Sequence, residues 1–274
     1  MLNKLTKRTA ALLGTALALM LSACDTTRAP SASTSTTDAV TTQARPKPTT
    51  TTGTKWVETF DRLDTSRWVV SSWGGFWQQS GLSGTFTPQN AAVNGKGQLV
   101  LTLKIEACAA GLCAQAGELQ SQQRMGFGRY TYRMRAASTS SDPAVTGTAQ
   151  PGNISGAFSY YQDSTTEIDV EIEGHRSSTL NAAVWKGLDT KSYAVLPTGS
   201  NLAQGFHDYT YEWRSGRITY FIDGVKVWET TQNVPQAAAH LMLNVWPTLT
   251  NAWGGEAKPG TVYMLVDSVT FEPF

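Results

Sequence analysis

Apolar and polar side chains alternate in many segments after residue 54. In residues 129–135, Tyr130, Tyr132 and Met134 share one face, while Thr131 and Arg133 share the other. A period of two predicts a β-strand with one buried face. On the same ground, further strands are predicted at residues 99–105, 206–213, 218–222, 225–229 and 262–271.

Turn signals separate these segments, and helical signals are weak. Asp223-Gly224 stands between two predicted strands and indicates a two-residue hairpin. Residues 236–240, just after Pro235, are the one weak helical candidate, because no stretch keeps a 3.6-residue period with caps. The pattern predicts an all-β fold, a β-sandwich of two antiparallel sheets.

The aromatic residues divide the chain of 274 residues into a leader and a body. All 27 of them lie after Gly53, so residues 55–274 are predicted to form a single domain with a sizeable core. Of the 22 basic and 21 acidic residues, six and two lie in the first 54, which leaves 16 and 19 in the body. This slight negative charge argues against a nucleic-acid partner and suits a neutral polysaccharide.

The N-terminus has the pattern of an export signal. Lys4, Lys7 and Arg8 precede an uncharged, mostly apolar run over residues 9–23, which is short for a membrane span. The run ends in Leu-Ser-Ala-Cys24, which resembles a bacterial lipobox. We therefore expect a lipoprotein signal peptide over residues 1–23 and lipidation of Cys24. The alternative is an ordinary signal peptide followed by a chance cysteine.

Residues 24–54 are predicted to be a disordered linker. Eighteen of the 30 residues from 25 to 54 are Ser, Thr or Pro, and none is aromatic. Such a tether reaches about 30 Å. We expect an exported domain in the cell envelope, lipid-anchored to a membrane surface or secreted, acting on something too large to import.

Cys108 and Cys113 are the two cysteines of the body. In an oxidising compartment, a disulfide that closes this short loop is the favoured interpretation. A metal site is the alternative, but the three histidines of the chain are scattered.

A ladder of acids is the most informative segment. In residues 166–173 the apolar side chains face one side, and Glu167, Asp169, Glu171 and Glu173 face the other. Like charges this close raise one another's pKa, a cost that proteins accept most readily at a working site. The alternative is a solvated polar face of an outer strand.

The spacing of Glu167 and Glu171 suits glycoside hydrolysis. Their α-carbons are about 13 Å apart at ~3.3 Å per residue, and side chains that lean inward bring the carboxyls to roughly 5 Å. That separation is typical of retaining enzymes, in which one carboxylate attacks carbon and the other protonates the leaving oxygen. Asp169 lies between them and can hydrogen-bond one of the two.

Residues 167–171 resemble the Glu-x-Asp-x-Glu signature of glycoside hydrolase family 16. The resemblance extends over most of residues 56–274 and includes residues 117–121, 126–136, 156–160, 206–227 and 242–247 in the same order. It implies a β-jelly roll of two curved antiparallel sheets with a concave sugar-binding cleft.

The resemblance also implies roles by position. Glu167 is expected to be the nucleophile, Asp169 its modulator and Glu171 the general acid/base. The expected sugar contacts are Glu118, Phe158, Tyr160, Asn181, Asn244 and Trp246. For the three aromatic residues, burial in the core is the alternative, although stacking on a sugar is favoured for Trp246.

The motif has the regular spacing rather than the longer Glu-x-Asp-x-x-Glu form, which carries a bulge. Within the family this form resembles endo-β-1,3-1,4-glucanases, and also xyloglucan-active hydrolases and transglycosylases. We expect a retaining endo-β-glucanase with mixed-linkage glucan favoured. A non-catalytic carbohydrate-binding protein is the alternative from another class.

The sequence departs from the lichenase-like pattern at several contact positions. Gln120 stands where that pattern has Arg, Thr165 where it has Trp, and Glu173 where it is apolar. Residues 182–185 replace a Tyr-rich stretch. These departures affect sugar contacts and leave the three catalytic acids in place.

The resemblance implies no cofactor for catalysis and a structural calcium ion. Asp267 matches the carboxylate position of that calcium site, and Gly97 lies near the backbone ligand. A monomer is expected.

Overall fold

A computed structural model describes residues 55–79, 81–109 and 111–274. The expected signal peptide, Cys24 and the linker lie outside these residues, so their assignments stay predictions. Within the described ranges the regular structure is twenty β-strands and two short 3-10 turns, Pro88–Asn90 and Gly174–Arg176. No helix in these ranges is long and apolar enough to cross a membrane.

A seven-stranded sheet forms one layer. Its strands in spatial order are Lys191–Pro197 (β13), Thr179–Trp185 (β12), Thr166–Glu173 (β11), Asn153–Tyr161 (β10), Ala239–Pro247 (β17), Glu118–Met125 (β8) and Trp68–Val70 (β2).

An eleven-stranded sheet forms the other layer. Its main path is Val225–Thr230 (β16), Arg217–Ile222 (β15), His207–Arg214 (β14), Gly128–Ser138 (β9), Gly260–Pro273 (β20), Leu99–Cys108 (β6), Gly111–Ala116 (β7), Leu82–Phe86 (β4) and Trp73–Gln79 (β3). Trp56–Glu58 (β1) pairs with β20, and Ala91–Val93 (β5) pairs with β6. A separate pair is Leu249–Thr250 (β18) with Gly255–Glu256 (β19).

The all-β prediction and the predicted strands are confirmed, and pairing is antiparallel with one exception. β4 pairs with β7 in parallel, Leu82 opposite Leu112 and Phe86 opposite Ala116. The Asp223-Gly224 hairpin is also confirmed: both residues have positive φ, 49° and 79°, as a type I′ turn requires.

The helix predicted at residues 236–240 is wrong. This segment is irregular up to Ala239, where β17 begins. The indole N–H of Trp213 donates to the carbonyl of Pro235 at 3.1 Å and ties the segment to the eleven-stranded sheet. Strand pairing and this contact prevail over a short and uncapped helical signal.

The core lies between the two sheets and is rich in tyrosine. Ile168, Val170 and Ile172 of β11 are almost fully buried in it. On the opposite sheet Tyr130 and Tyr211 stack, with ring centroids 4.7 Å apart. Each such side chain contributes roughly 1.5–3 kcal/mol through removal of apolar surface from water.

Buried tyrosine hydroxyls connect the two sheets. The hydroxyl of Tyr211 lies 2.6 Å from that of Ser159 on β10. Tyr220 donates to the carbonyl of Ala183 on β12 at 2.8 Å. Because a buried hydroxyl without a partner is costly, these bonds fix the position of the seven-stranded sheet relative to the layer behind it.

The predicted disulfide is confirmed. Cys108 and Cys113 are bonded, with α-carbons 5.8 Å apart, at the end of the β6–β7 hairpin. This hairpin belongs to the eleven-stranded sheet, whereas the acid ladder belongs to the other sheet.

The disulfide should stabilise the domain without serving its chemistry. Replacing both cysteines, Cys108→Ser with Cys113→Ser, should lower the free energy of unfolding by about 2 kcal/mol, because the bridge closes a short loop. Urea unfolding measures the change. Dithiothreitol should destabilise the wild type to the same level and leave the double variant unaffected; equal stability of the two oxidised proteins would contradict the prediction.

Candidate active site

The register of the seven-stranded sheet arranges the functional candidates in rows on the face turned away from the core, hereafter the cleft face. One row crosses five strands at Glu171. Its members, from β12 to β8, are Asn181, Glu171, Gly156, Asn244 and Glu118. Three of the six expected sugar contacts therefore lie in one line with the expected acid/base.

Two more rows follow at Asp169 and Glu167. Phe158 is opposite Asp169, and Tyr160 is opposite Glu167. Trp246 lies one row further along, opposite Ile154, which is in turn opposite Glu173. The six expected contacts thus share the face that carries the acids.

Two of the three catalytic candidates are buried on the cleft face. Glu167 and Asp169 are 8% and 3% exposed, and Glu171 is partly exposed. The register of β11 with β10 runs without a break from Thr166 to Glu173. Side-chain alternation is therefore regular, and the two glutamates flank Asp169 on one face.

Burial raises the pKa of all three acids. It raises the pKa of Glu167 to about 7, against a lowering contribution from a Ser164 hydrogen bond. It raises the pKa of Glu171 to about 8, with repulsion from Glu167 and Glu173 adding to it. The pKa of Asp169 is raised well above its usual value by burial and by the charges of both catalytic glutamates.

Burial thus brings the pKa of both glutamates into the neutral range. Because the two carboxyls interact, they titrate as a pair, and a state with one of them ionised and the other protonated is favoured near neutral pH.

Asp169 accepts a hydrogen bond that the sequence did not predict. The indole N–H of Trp185 on β12 donates to its Oδ2 at 2.9 Å. Trp185 is opposite Glu167 in the register and reaches diagonally to Asp169. Lys191 on β13 is opposite Trp185, with its Nζ 4.5 Å from the indole centroid. The pairing of β11 with β12 and of β12 with β13 brings Asp169, Trp185 and Lys191 together. No local sequence signal marks this arrangement.

Glu118 and Asn244 form a buried polar pair beside the acids. Asn244 Nδ2 donates to Glu118 Oε2 at 2.9 Å, and the Ser71 hydroxyl donates to Oε1 at 2.7 Å. Burial raises the pKa of Glu118, against the lowering effect of these bonds and one from Trp73. The other amide atom, Asn244 Oδ1, is buried without a hydrogen-bond partner among the described residues.

Glu173 belongs to the acid ladder but is held by a different set of partners. Its side chain is fully buried; Arg176 donates to Oε1, and so does Asn181 Nδ2 at 3.1 Å. The backbone N–H of Gly254 donates to Oε2 at 2.7 Å. This acid therefore secures the chain around Gly254 against the end of the sheet.

The turn before β11 is conformationally unusual. Gln162, Asp163 and Ser164 have φ values of 36°, 45° and 57°, a left-handed region that residues other than glycine enter rarely. The turn brings Ser164 to Glu167. Strain of this kind is concentrated at functional sites.

Two expected aromatic contacts are more enclosed than the third. Trp246 is 7% exposed and packs within the hydrophobic cluster, and Phe158 is 8% exposed. Tyr160 is partly exposed, and its buried hydroxyl lies near the backbone N–H groups of Asp163 and Ser164. Its contact role stays a prediction, as do those of the other five.

The surroundings of Asp267 do not fit a calcium cage. Its Oδ1 accepts from Gln98 Nε2 at 3.1 Å, and its Oδ2 lies 3.5 Å from Nε of Arg133. A guanidinium thus stands beside the carboxylate that calcium would use. In the described part of the chain no group of three or more His, Cys, Asp or Glu residues is arranged to hold a metal. The expected calcium at Asp267 and Gly97 stays a prediction, and we assign it no function.

Comparison with known proteins agrees with the observed fold. The sequence profile of "Glycosyl hydrolases family 16" matches residues 78–262. A beta-glucanase of Brevibacillus brevis is 26% identical over 228 residues, which cover 81% of this chain and 83% of that protein. The "Endo-1,3-1,4-beta-glycanase ExoK" of Rhizobium meliloti is 29% identical over 222 residues, 77% of this chain and 76% of that protein.

Other relatives are longer, and solved structures share the fold. A beta-glucanase of Acetivibrio thermocellus is 28% identical over 198 residues, 71% of this chain but 54% of its own length. The Bacillus licheniformis beta-glucanase structure superposes with a TM-score of 0.69 at 22% identity, and covers 81% of this chain and 100% of its own. That likeness shows the jelly-roll fold.

A jelly-roll sandwich with buried carboxylates on the open face of one sheet defines a class of glycoside hydrolases. The profile matches about two thirds of the chain, and the chain belongs to glycosyl hydrolases family 16.

Gly156 should be required for the cleft because it leaves room for Asn244. A β-carbon built on Gly156 would lie 2.6 Å from Asn244 Oδ1. Gly156→Ala should therefore displace the Asn244 amide beside Glu171, lower activity at least tenfold, and destabilise the fold by about 1–3 kcal/mol. Gly205→Ala is the matched control, because a β-carbon there meets nothing within 4 Å. Wild-type kinetics of the Gly156 variant would contradict this account.

Proposed function

We propose that this chain is a retaining endo-β-glucanase that cleaves internal bonds of a β-glucan, with mixed-linkage β-1,3-1,4-glucan as its favoured substrate. The observation that carries the proposal is the placement of Glu167 and Glu171 on one face of β11, on either side of Asp169. This spacing allows carboxyls roughly 5 Å apart, which a direct displacement on carbon requires.

The proposed reaction has two steps. Ionised Glu167 attacks the anomeric carbon, while Glu171 gives its proton to the leaving glycosidic oxygen, so a glycosyl-enzyme ester forms and the first sugar fragment departs. Glu171, now a carboxylate, removes a proton from water, which attacks the same carbon and releases Glu167. Two inversions give net retention.

The raised pKa values of the glutamates support a role in proton transfer. The first step needs Glu167 without its proton and Glu171 with it, and burial raises the pKa of both into the range where one ionised and one protonated carboxyl can coexist near neutral pH. Asp169 lies between them and modulates both through its charge and its hydrogen bond. A group without catalytic demands would not need three buried acids in a row.

An unpartnered polar atom supports a sugar ligand. Asn244 Oδ1 is buried without a hydrogen-bond partner among the described residues. Buried polar groups normally have partners, so this oxygen is suited to a hydroxyl of the substrate. It lies in the row that holds Glu171.

The choice of β-glucan rests on the relatives and on the regular strand. The relatives compared above carry the names beta-glucanase and endo-1,3-1,4-beta-glycanase. β11 has no bulge in its pairing with β10 or β12, a form expected of mixed-linkage enzymes in this family.

Activity assays on a polymer panel test the proposal. Barley β-glucan and lichenan should release reducing ends with the wild-type domain, more than laminarin, xyloglucan or agarose. Glu167→Gln and Glu171→Gln should each lose at least a thousandfold in kcat, because each removes one partner of the double displacement. NMR of the first products should show the β-anomer.

Glu229→Gln is a suitable control, because that acid lies on β16 of the opposite sheet. Circular dichroism should show that all variants are folded. Wild-type rates in either cleft variant, or an initial α-anomer, would overturn the retaining assignment. If the folded wild type hydrolyses none of the polymers but binds one of them tightly, the protein would instead be a binding protein.

We further propose that a lipid on Cys24 holds the domain at a membrane surface, on the strength of the Leu-Ser-Ala-Cys pattern. In bacteria that express the full chain, the wild type should incorporate labelled palmitate and sediment with membranes. Cys24→Ala should incorporate none and remain in the soluble exported fraction. Equal sedimentation of the two proteins would contradict lipid anchoring.

A further inference from the structure

Trp185 joins the neighbouring strand to the middle acid. Its indole is 7% exposed, and its N–H donates to Asp169 Oδ2 at 2.9 Å. Because an N–H donor favours the ionised form of its acceptor, this bond lowers the pKa of Asp169 against the effect of burial. The bond also fixes the orientation of the Asp169 carboxylate.

Lys191 places a positive charge behind the indole. Its Nζ lies 4.5 Å from the ring centroid of Trp185 and 5.1 Å from that of Tyr193. A cation over an aromatic face is attracted by the electrons of the ring. Lys191 is thereby held on the cleft face, two strands from the acids, and its charge lowers the pKa of all three.

Other titratable groups also face the acids, and they do not duplicate this positive charge. Tyr160 and Asp163 lie at the Glu167 end, Glu173 at the other end, and Tyr211 and Tyr220 approach from the core. Further along the cleft face are Glu118, Arg124, His240 and Tyr193. Glu118 bonds Ser71 and Asn244, Arg124 lies over Tyr161, and His240 bonds the carbonyl of Ser121.

We propose that Trp185 and Lys191 are positioning residues of this active site: Trp185 orients Asp169 between the two glutamates, and Lys191 supplies the positive charge that sets when the three acids lose their protons. The inference rests on the proposed function and adds two residues to it. Neither residue is required to touch the reacting atoms.

The consequence for pH has a definite sign. Catalysis needs Glu167 ionised and Glu171 protonated, so kcat/KM should rise through the first pKa and fall through the second. Without Lys191 all three acids hold their protons more tightly, and both limbs of the profile should move to higher pH. A unit charge roughly 10 Å away accounts for a shift of about one pH unit at an effective dielectric constant near 20.

The Lys191 experiment compares pH profiles. Lys191→Met should shift both limbs of kcat/KM upward, and Lys191→Arg should restore the wild-type profile because it keeps the charge over the indole. Lys226→Met is the matched control, because it removes the same charge from β16 on the opposite sheet. An unshifted Lys191→Met profile, or an equal shift in the Lys226 variant, would overturn the inference.

The Trp185 experiment separates hydrogen bonding from packing. Trp185→Phe keeps an aromatic ring and removes the N–H, so kcat should fall about 10- to 100-fold with little change in KM. If this variant does not fold, the Lys191 series alone decides, since that side chain is exposed.

The two proposals fail in different ways. If Glu167→Gln is inactive while Trp185→Phe keeps the wild-type kcat and Lys191→Met keeps the wild-type profile, the glucanase assignment stands and the positioning inference is wrong. If Glu167→Gln is itself active, the proposed function is wrong.

Discussion

The unbroken two-residue alternation of β11 is the constraint on which the site depends. It sends Ile168, Val170 and Ile172 into the core and leaves the acids on the cleft face. The apolar half of the strand stabilises a position at which the polar half is desolvated. A one-residue slip would exchange the two sets, so the packing of the core fixes the register and with it the order of the acids.

The layer behind the strand also contributes to the site. Tyr220 reaches from β15 to the carbonyl of Ala183, next but one to Trp185 on β12. Tyr211 meets Ser159 on β10, opposite Ile168. Both neighbours of β11 are thus held from the core side by hydrogen bonds of buried tyrosine hydroxyls. The rigidity that catalysis requires therefore originates in the tyrosine-rich core rather than in the cleft itself.

The local sequence pattern correctly predicted strands and a hairpin, which depend mainly on residues close together in the chain. Alternation gave the strands around Tyr130 and Tyr211, and Asp223-Gly224 gave its hairpin, because both are set by neighbours in sequence. The isolated helix at residues 236–240 failed because strand pairing prevailed over it. The contact of Trp185 with Asp169 could not be predicted, because it depends on the register between the neighbouring strands β11 and β12.

Four acids of similar chemistry on one face acquire different roles through their partners. Glu173 receives hydrogen bonds from Arg176, Asn181 and Gly254, so its charge is matched and it serves the structure. In the described part of the chain neither Glu167 nor Glu171 is paired with an arginine, and burial raises the pKa of each into the neutral range. Sequence alone shows a row of equivalent acids. The partners supplied by the fold distinguish them: Glu173 is held by Arg176, Asn181 and Gly254, whereas Glu167 and Glu171 are the two that the proposed reaction uses.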